Sequence, residues 1–281
     1  MNKRWLGLAW CLAAGACLAQ SPTLDKIRKS GTLTLGYVDG AVPFSYLRDG
    51  KPVGYSVELC ERVAGELRRS LKLPKLETRW VALTIQNRLD AVRKGQVDLE
   101  CSTTSRSLSR QETVDFSLMT FVDGGSMLVR ADSTHRRLGD LGGKRIAVIS
   151  GTTTEGGLAR ALQKLRVDAQ VVKVASRAEG MEMLDKGLAD GFASDRMALF
   201  GVAIAGGNPG NYRLFDDIYT VETYAFPLLR GDADFRLAVD RALAGIYRDG
   251  AIGDIYGRWF GPLGGPWKLL EAMYILQSYA E

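Results

Sequence analysis

The sequence predicts an α/β protein made of two lobes of similar build. Three features carry that expectation. First, short β-rich runs alternate with segments whose apolar residues recur every three or four positions, which implies βαβ units and a mostly parallel sheet in each lobe. Second, the alternation occurs twice, before Met119 and again after Gly143. Third, Gly95-Gln96-Val97-Asp98 is mirrored by Gly187-Leu188-Ala189-Asp190. In each, a helix stop leads through a short turn to a strand that opens on aspartate and runs into polar residues. With 281 residues, 46% of them hydrophobic, the chain is long enough for a sizeable core.

Taken in order, Met1 to Ala19 reads as a secretory signal: Lys3 and Arg4 are followed by an apolar run from Trp5 to Leu12 and then by small residues. Cleavage is expected after Ala19. Ala14-Gly15-Ala16-Cys17 also resembles a lipoprotein signal, which would lipidate Cys17. No later apolar run is long enough to cross a membrane, so the mature chain is expected to be periplasmic, soluble or lipid-tethered, in an oxidising compartment.

Thr32 to Val38 alternates and reads as a strand. Asp49-Gly50 marks a hairpin turn between Phe44-Ser45-Tyr46 and Pro52 to Tyr55. From Ser56 the pattern is helical, with Val57, Cys60, Ala64, Leu67 and Leu71 on one face and Pro74 as a stop. Leu76 to Val81 is a strand. Thr84 can cap a helix carrying Ile85, Leu89 and Val92, which Gly95 ends. Val97 to Cys101 is a buried strand.

The second unit repeats the plan. It has a strand at Gly143 to Ser150, a helix at Leu158 to Leu165 and a strand at Gln170 to Val174. A helix at Ala178 to Lys186 and a strand at Ala189 to Ala193 follow. Met119 to Arg130 and Val221 to Leu229 are β-like and read as crossovers between lobes. Phe235 to Ile246 and Ile252 to Phe260 read as helices, with Trp259-Phe260 as an apolar plug, and Trp267 to Glu281 as a weakly helical tail.

Cys60 and Cys101 are read as two small buried hydrophobes. A pair of cysteines in an exported chain can bond, but nothing in the sequence brings these two together. The formal net charge is +5, or +3 without Lys3 and Arg4, and no Lys/Arg block suits nucleic acid or a membrane. His135 is the only histidine, and no metal, P-loop or serine-hydrolase signature is present, so neither metal nor cofactor is expected.

The chemistry concentrates in Gly95 to Ser117, GQVDLECSTTSRSLSRQETVDFS. A strand empties into Ser102, Thr103, Thr104 and Ser105, and Ser107 can cap a short helix. Free N–H groups and the positive helix end then lie together, which suits an anion. Arg110 adds a planar fork of donors matched to a carboxylate. The same residues also fit an ordinary capped surface turn. Asp195, at a strand end before an apolar helix, fits two roles equally: partner for an ammonium group or helix N-cap. Phe44, Tyr46 and Tyr55 can wall a pocket or fill a core; of these, Phe44 is the pocket candidate.

The segment LTIQNRLDAVRKGQVDLECSTTSRSLSRQETVDFS resembles the periplasmic glutamate/aspartate-binding proteins. VPFSYLRDGKPVGYSVELC (42–60), ISGTTTE (149–155) and RWFG (258–261) extend the similarity over about residues 24 to 261. The broader family is the polar amino-acid-binding proteins of ABC importers. The resemblance implies a two-lobed periplasmic-binding-protein fold with two hinge strands. Lobe 1 would comprise 24–124 and 225–261, lobe 2 would comprise 125–224, and 262–281 would be a tail.

It also implies a monomer that binds a free L-amino acid and delivers it to a membrane permease. It places Arg110 and Ser105 on the α-carboxylate, with Thr152 or Thr153 closing from the facing lobe, and Asp195 with Thr103 on the ammonium. Positions around a distal carboxylate become Val38, Ile85, Arg88 and Arg177 in this chain. Val38 and Ile85 remove a charge and a hydroxyl relative to the family pattern, and Arg177 stands where the family has histidine. The alternative is an exported arogenate or prephenate dehydratase on the same fold. It would need a general acid in the cleft, for which Glu179 and Glu155 are the candidates by position.

Overall fold

The computed structural model describes residues 21–261 and 264–280, so the signal, Cys17 and its possible lipidation lie outside the described residues. The chain opens with α1 (Pro22–Ser30), capped by Ser21, whose side chain accepts from the Leu24 N–H. Strand β1 (Thr32–Val38) follows, then the hairpin β2 (Tyr46–Arg48) and β3 (Lys51–Val53). Asp49 and Gly50 have φ of 52° and 73°, the left-handed pair that a two-residue hairpin turn demands. Next come α2 (Tyr55–Ser70), β4 (Glu77–Leu83), α3 (Arg88–Arg93), β5 (Leu99–Glu100), α4 (Leu108–Gln111) and β6 (Val114–Asp123).

The second unit comprises β7 (Gly125–Arg130), β8 (Arg145–Ile149), α5 (Thr153–Leu165), β9 (Gln170–Val174), α6 (Arg177–Asp185), β10 (Gly191–Asp195), α7 (Arg196–Ala205) and β11 (Tyr212–Leu214). Strand β12 (Glu222–Leu229) and helices α8 (Ala233–Arg248), α9 (Ala251–Phe260) and α10 (Lys268–Leu276) complete the chain.

Two five-stranded sheets result, ordered β4-β1-β5-β12-β6 and β9-β8-β10-β7-β11. The two orders are equivalent. In each sheet the first strand of the βαβ unit lies between the second and third, paired parallel to both. A single strand runs against the other four: β12 in the first sheet and β7 in the second. Those two odd strands are also the ones that follow a change of sheet, since β6 passes into β7 through Gly124 and β12 returns after β11.

The repeated aspartates have the same local task. The Asp98 N–H donates to the Thr34 carbonyl at 2.8 Å while its carboxylate accepts from the Thr34 N–H at 2.9 Å. Asp190 does the same with Arg145, at 2.8 Å in both directions. Each aspartate clamps the incoming strand to the central one, which explains why the punctuation recurs.

The first sheet's core is aromatic. Phe44, Tyr55, Phe121, Tyr224 and Phe260 form one cluster, with ring centroids 4.9–6.0 Å from Phe44. Phe44 is fully buried among these rings, so its packing is that of a core residue. Phe260 plugs the same cluster from α9, and complete burial of such a ring is worth roughly 2–3 kcal/mol.

The tail is structural as well. Tyr274 on α10 shares a 2.8 Å hydrogen bond with Tyr55, and Gln277 brackets the Met119 backbone at 2.8 and 2.9 Å. Cys60 and Cys101 form a disulfide, correcting the reading of two free thiols. The reason is tertiary: α2 lies on the sheet with Cys60 facing the end of β5, bringing the two Cα atoms to 6.2 Å.

Candidate functional site

The strands' carboxyl ends point the loops of one sheet at those of the other, the usual place for a ligand in parallel α/β architecture. From the first sheet come the run 102–105 after β5, the start of α3 and the short helix α4. From the second come the turn into α5, the start of α6 and the end of β10. The two sets touch. Arg110 donates to the Gly151 carbonyl at 3.3 Å, Arg177 donates to the Thr103 hydroxyl at 3.1 Å, and Gln86 donates to the Ala175 carbonyl at 2.9 Å.

Three guanidinium groups converge there. Arg88, the first residue of α3, is buried although it belongs to a charged stretch. It starts the helix because Thr84 and Asn87 bond each other's backbone N–H, at 2.8 and 3.2 Å, in the preceding turn. Ile85 therefore lies in that turn, half-buried between the apolar clusters of both sheets. Arg177, at the start of α6, is also buried. The Nε atoms of Arg88 and Arg177 are buried without a hydrogen-bond partner. None of the three arginines forms an ion pair with a carboxylate among the described residues.

Burial, and then the neighbouring Arg88, push the Arg110 pKa down to about 10, against the opposing pull of Glu222, Asp195 and Glu100. Burial lowers Arg177 too. Buried cations under this pressure favour an anion between them.

Arg110 is half-buried and spends one nitrogen on the Ser105 carbonyl at 2.7 Å. Ser107 caps α4 by accepting from the Arg110 N–H at 3.3 Å. Ser105 and Thr103 are buried at the cleft floor. The floor is held by Glu100, whose carboxylate accepts from Ser102 and, at 2.6 Å, from Thr104.

Thr152 is the N-cap of α5. Its hydroxyl accepts from the Glu155 N–H at 3.1 Å and donates to the Ile149 carbonyl at 2.8 Å. Thr153 donates to Glu222 at 2.5 Å. Val38 ends β1 and packs with Leu83, Ala91 and Val92 in an apolar cluster.

Asp195 precedes α7 but makes no side-chain cap bond. Its carboxylate accepts instead from Thr154 at 2.6 Å and Tyr224 at 2.7 Å. The cap is supplied by Asp123 from β6, which accepts from the Met197 N–H at 3.0 Å. Asp123, Glu222, Tyr224, Thr154 and Glu100 are the site residues that sequence reasoning missed. Burial, and then Asp195, raise Asp123 to about 7 and raise Glu222 as well.

The two acids considered for catalysis are engaged at helix starts. Glu155 binds Lys173 and the Gly151 N–H, which hold it below its ordinary range, and Glu179 accepts from the Ala175 N–H at 2.6 Å.

Residues 33–262 match the family model of the bacterial extracellular solute-binding proteins, family 3. The L-glutamate/L-aspartate-binding protein of Pseudomonas aeruginosa is 34% identical over 240 residues, covering 85% of this chain and 80% of that protein. The glutamate/aspartate import solute-binding protein of Escherichia coli is 28% identical over 260 residues, covering 90% and 86%. An ABC uptake transporter substrate binding protein from Streptococcus pneumoniae with bound histidine superposes with a TM-score of 0.75. That match covers 84% of this chain and 95% of the other at 21% identity, a likeness of fold. The two equivalent sheets, the facing strand ends and these matches together place the chain among the family-3 bacterial extracellular solute-binding proteins.

Proposed function

We propose that this protein captures an acidic L-amino acid, glutamate or aspartate, between its lobes and hands it to the permease of an ABC importer. The carrying observation is the pair Arg88 and Arg177: two buried guanidinium groups, from opposite sides of the cleft, without a carboxylate partner among the described residues. A distal carboxylate between them would form the charge-assisted bonds they lack.

Arg110 and Ser105 take the α-carboxylate, with Thr152 and Thr153 closing from the facing helix start. Asp195 takes the ammonium, with Thr103 beside it. Val38 and Ile85 line the apolar side of the distal pocket, and Phe44 supports the site from the core. The names of the P. aeruginosa and E. coli relatives point to the same ligands. The protein works as a monomer with lobes 24–124 plus 225–261 and 125–224, exported by residues 1–19.

The test is calorimetry on Arg88→Met and Arg177→Met. Each should weaken L-glutamate by about two decades or more, the equivalent of roughly 3 kcal/mol for an unpaired buried carboxylate, and leave L-glutamine less affected. Unchanged glutamate affinity in both variants would contradict the acidic assignment.

A further inference from the structure

Asp123 is a buried carboxylate that ligand capture, as described so far, does not use. It lies at the end of β6, where the chain changes sheet, and is 3% exposed. One of its oxygens accepts from the Gly124 N–H at 2.8 Å. The other caps α7 through the Met197 N–H and lies 3.2 Å from the Tyr224 hydroxyl oxygen. That hydroxyl is also 2.7 Å from Asp195. Tyr224 is fully buried and has one proton for two carboxylates. The shorter contact matches an O–H donated to an anion, so the Tyr224 proton belongs to Asp195. The longer contact then sets a second carboxylate against the Tyr224 lone pairs, which is favourable only if that carboxyl carries a proton of its own.

We propose that Asp123 is held as a neutral acid and is a positioning residue for the ammonium site: it caps α7 in place of Asp195 and donates a hydrogen bond to Tyr224, which donates to Asp195. The chain leaves Asp195 as the one anion of the pair, directed by Thr154 and Tyr224 and free of capping duty. This role rests on Asp195 being the ammonium partner.

The surroundings agree. Asp123 and Asp195 meet at the Tyr224 hydroxyl, and Glu222 is the register partner of Asp123 on β12. Tyr219 carries a buried hydroxyl without a partner. Arg177 is near but bonds Thr103, and the Arg196 side chain turns away to the Phe215 carbonyl, so neither neutralises Asp123. Burial, with Asp195 next, raises Asp123 to about 7.

The sign of the pH dependence follows. An unfolded aspartate titrates near 3.9, so between about 4 and 7 the folded protein binds more protons than the unfolded chain. Stability contributed by this group is therefore greatest in acid and falls as pH rises through about 7.

Infrared spectroscopy of the ligand-free protein at pH 6 should reveal a protonated-carboxyl C=O band that Asp123→Asn removes and Asp195→Asn does not. The melting temperature of the parent should fall from pH 5.5 to 8 more steeply than that of Asp123→Asn. Oδ2 both caps Met197 and faces Tyr224, so the amide of Asp123→Asn keeps only one of these contacts; Asp123→Asn should weaken L-glutamate less than Asp123→Ala, which loses about tenfold. A band undiminished in Asp123→Asn, or parallel pH slopes, would overturn the proposal. These two readouts need no ligand. Failure of the parent to bind any amino acid would instead overturn the functional reading and the positioning role, with the neutral acid intact.

Discussion

In the proposed function Arg110 and Asp195 hold the two charges common to every free amino acid, and their environments set what each is worth. Asp195 is buried with two hydroxyl donors, and Arg110 is half-buried with its guanidinium bridging to the opposite lobe. Removing one member of a desolvated pair costs about 3–5 kcal/mol, or roughly two to three and a half decades of affinity. Arg110→Ala is expected at the low end, because solvent reaches part of that site, and Asp195→Ala at the high end. Both should keep the parent's circular-dichroism spectrum. An Arg110→Ala protein that binds the same ligand within a few-fold of the parent would remove Arg110 from the site. The local frame of Arg110 was legible in the sequence. A hydroxyl run after a strand, a short capped helix and an arginine at its end are local features. The burial of Arg88 was not legible, because a helix-start arginine beside charged residues has the same pattern whether it faces solvent or the cleft.

At the scale of elements, the doubled plan was readable because each copy is punctuated locally, by Gly95 and Gly187 as stops and Asp98 and Asp190 as strand clamps. Helix α1 was missed. Its only buried apolar residues are Leu24 and Ile27, too few for a periodic signal. The Asp123–Tyr224–Asp195 network was also missed, since Tyr224 and Asp123 are 101 residues apart and meet only through the pairing of β12 with β6. The Cys60–Cys101 bond failed to show for the same reason: it depends on how α2 packs on its sheet. It closes a loop of 41 residues, which by chain entropy should stabilise the fold by roughly 4 kcal/mol. Urea unfolding of the Cys60→Ala/Cys101→Ala protein should show a midpoint lowered accordingly. An unchanged midpoint would mean that the bridge contributes nothing to folding.

For the whole molecule, capture requires that ligand prefer the state in which the lobes meet, since a ligand shifts an equilibrium only by its differential affinity. Among the described residues the lobes touch through the hydrogen bonds of Arg110, Arg177 and Gln86, through Ile85, which packs on the apolar clusters of both sheets, and through one close backbone approach. Helix α7 comes so near the loop before the hairpin that a Cβ on Gly201 would lie 1.8 Å from the Val42 carbonyl oxygen. Three arginines crowded together oppose that meeting unless an anion is shared between them. In the proposed function, an acidic side chain would be the specificity element and would also draw the lobes together. Isothermal titration of the purified mature protein with L-glutamate, L-aspartate, L-glutamine and L-leucine tests this most directly. Glutamate or aspartate should bind tightest, and leucine weakest or undetectably; leucine binding tightest would contradict the account and make Val38 and Ile85 the walls of an apolar pocket.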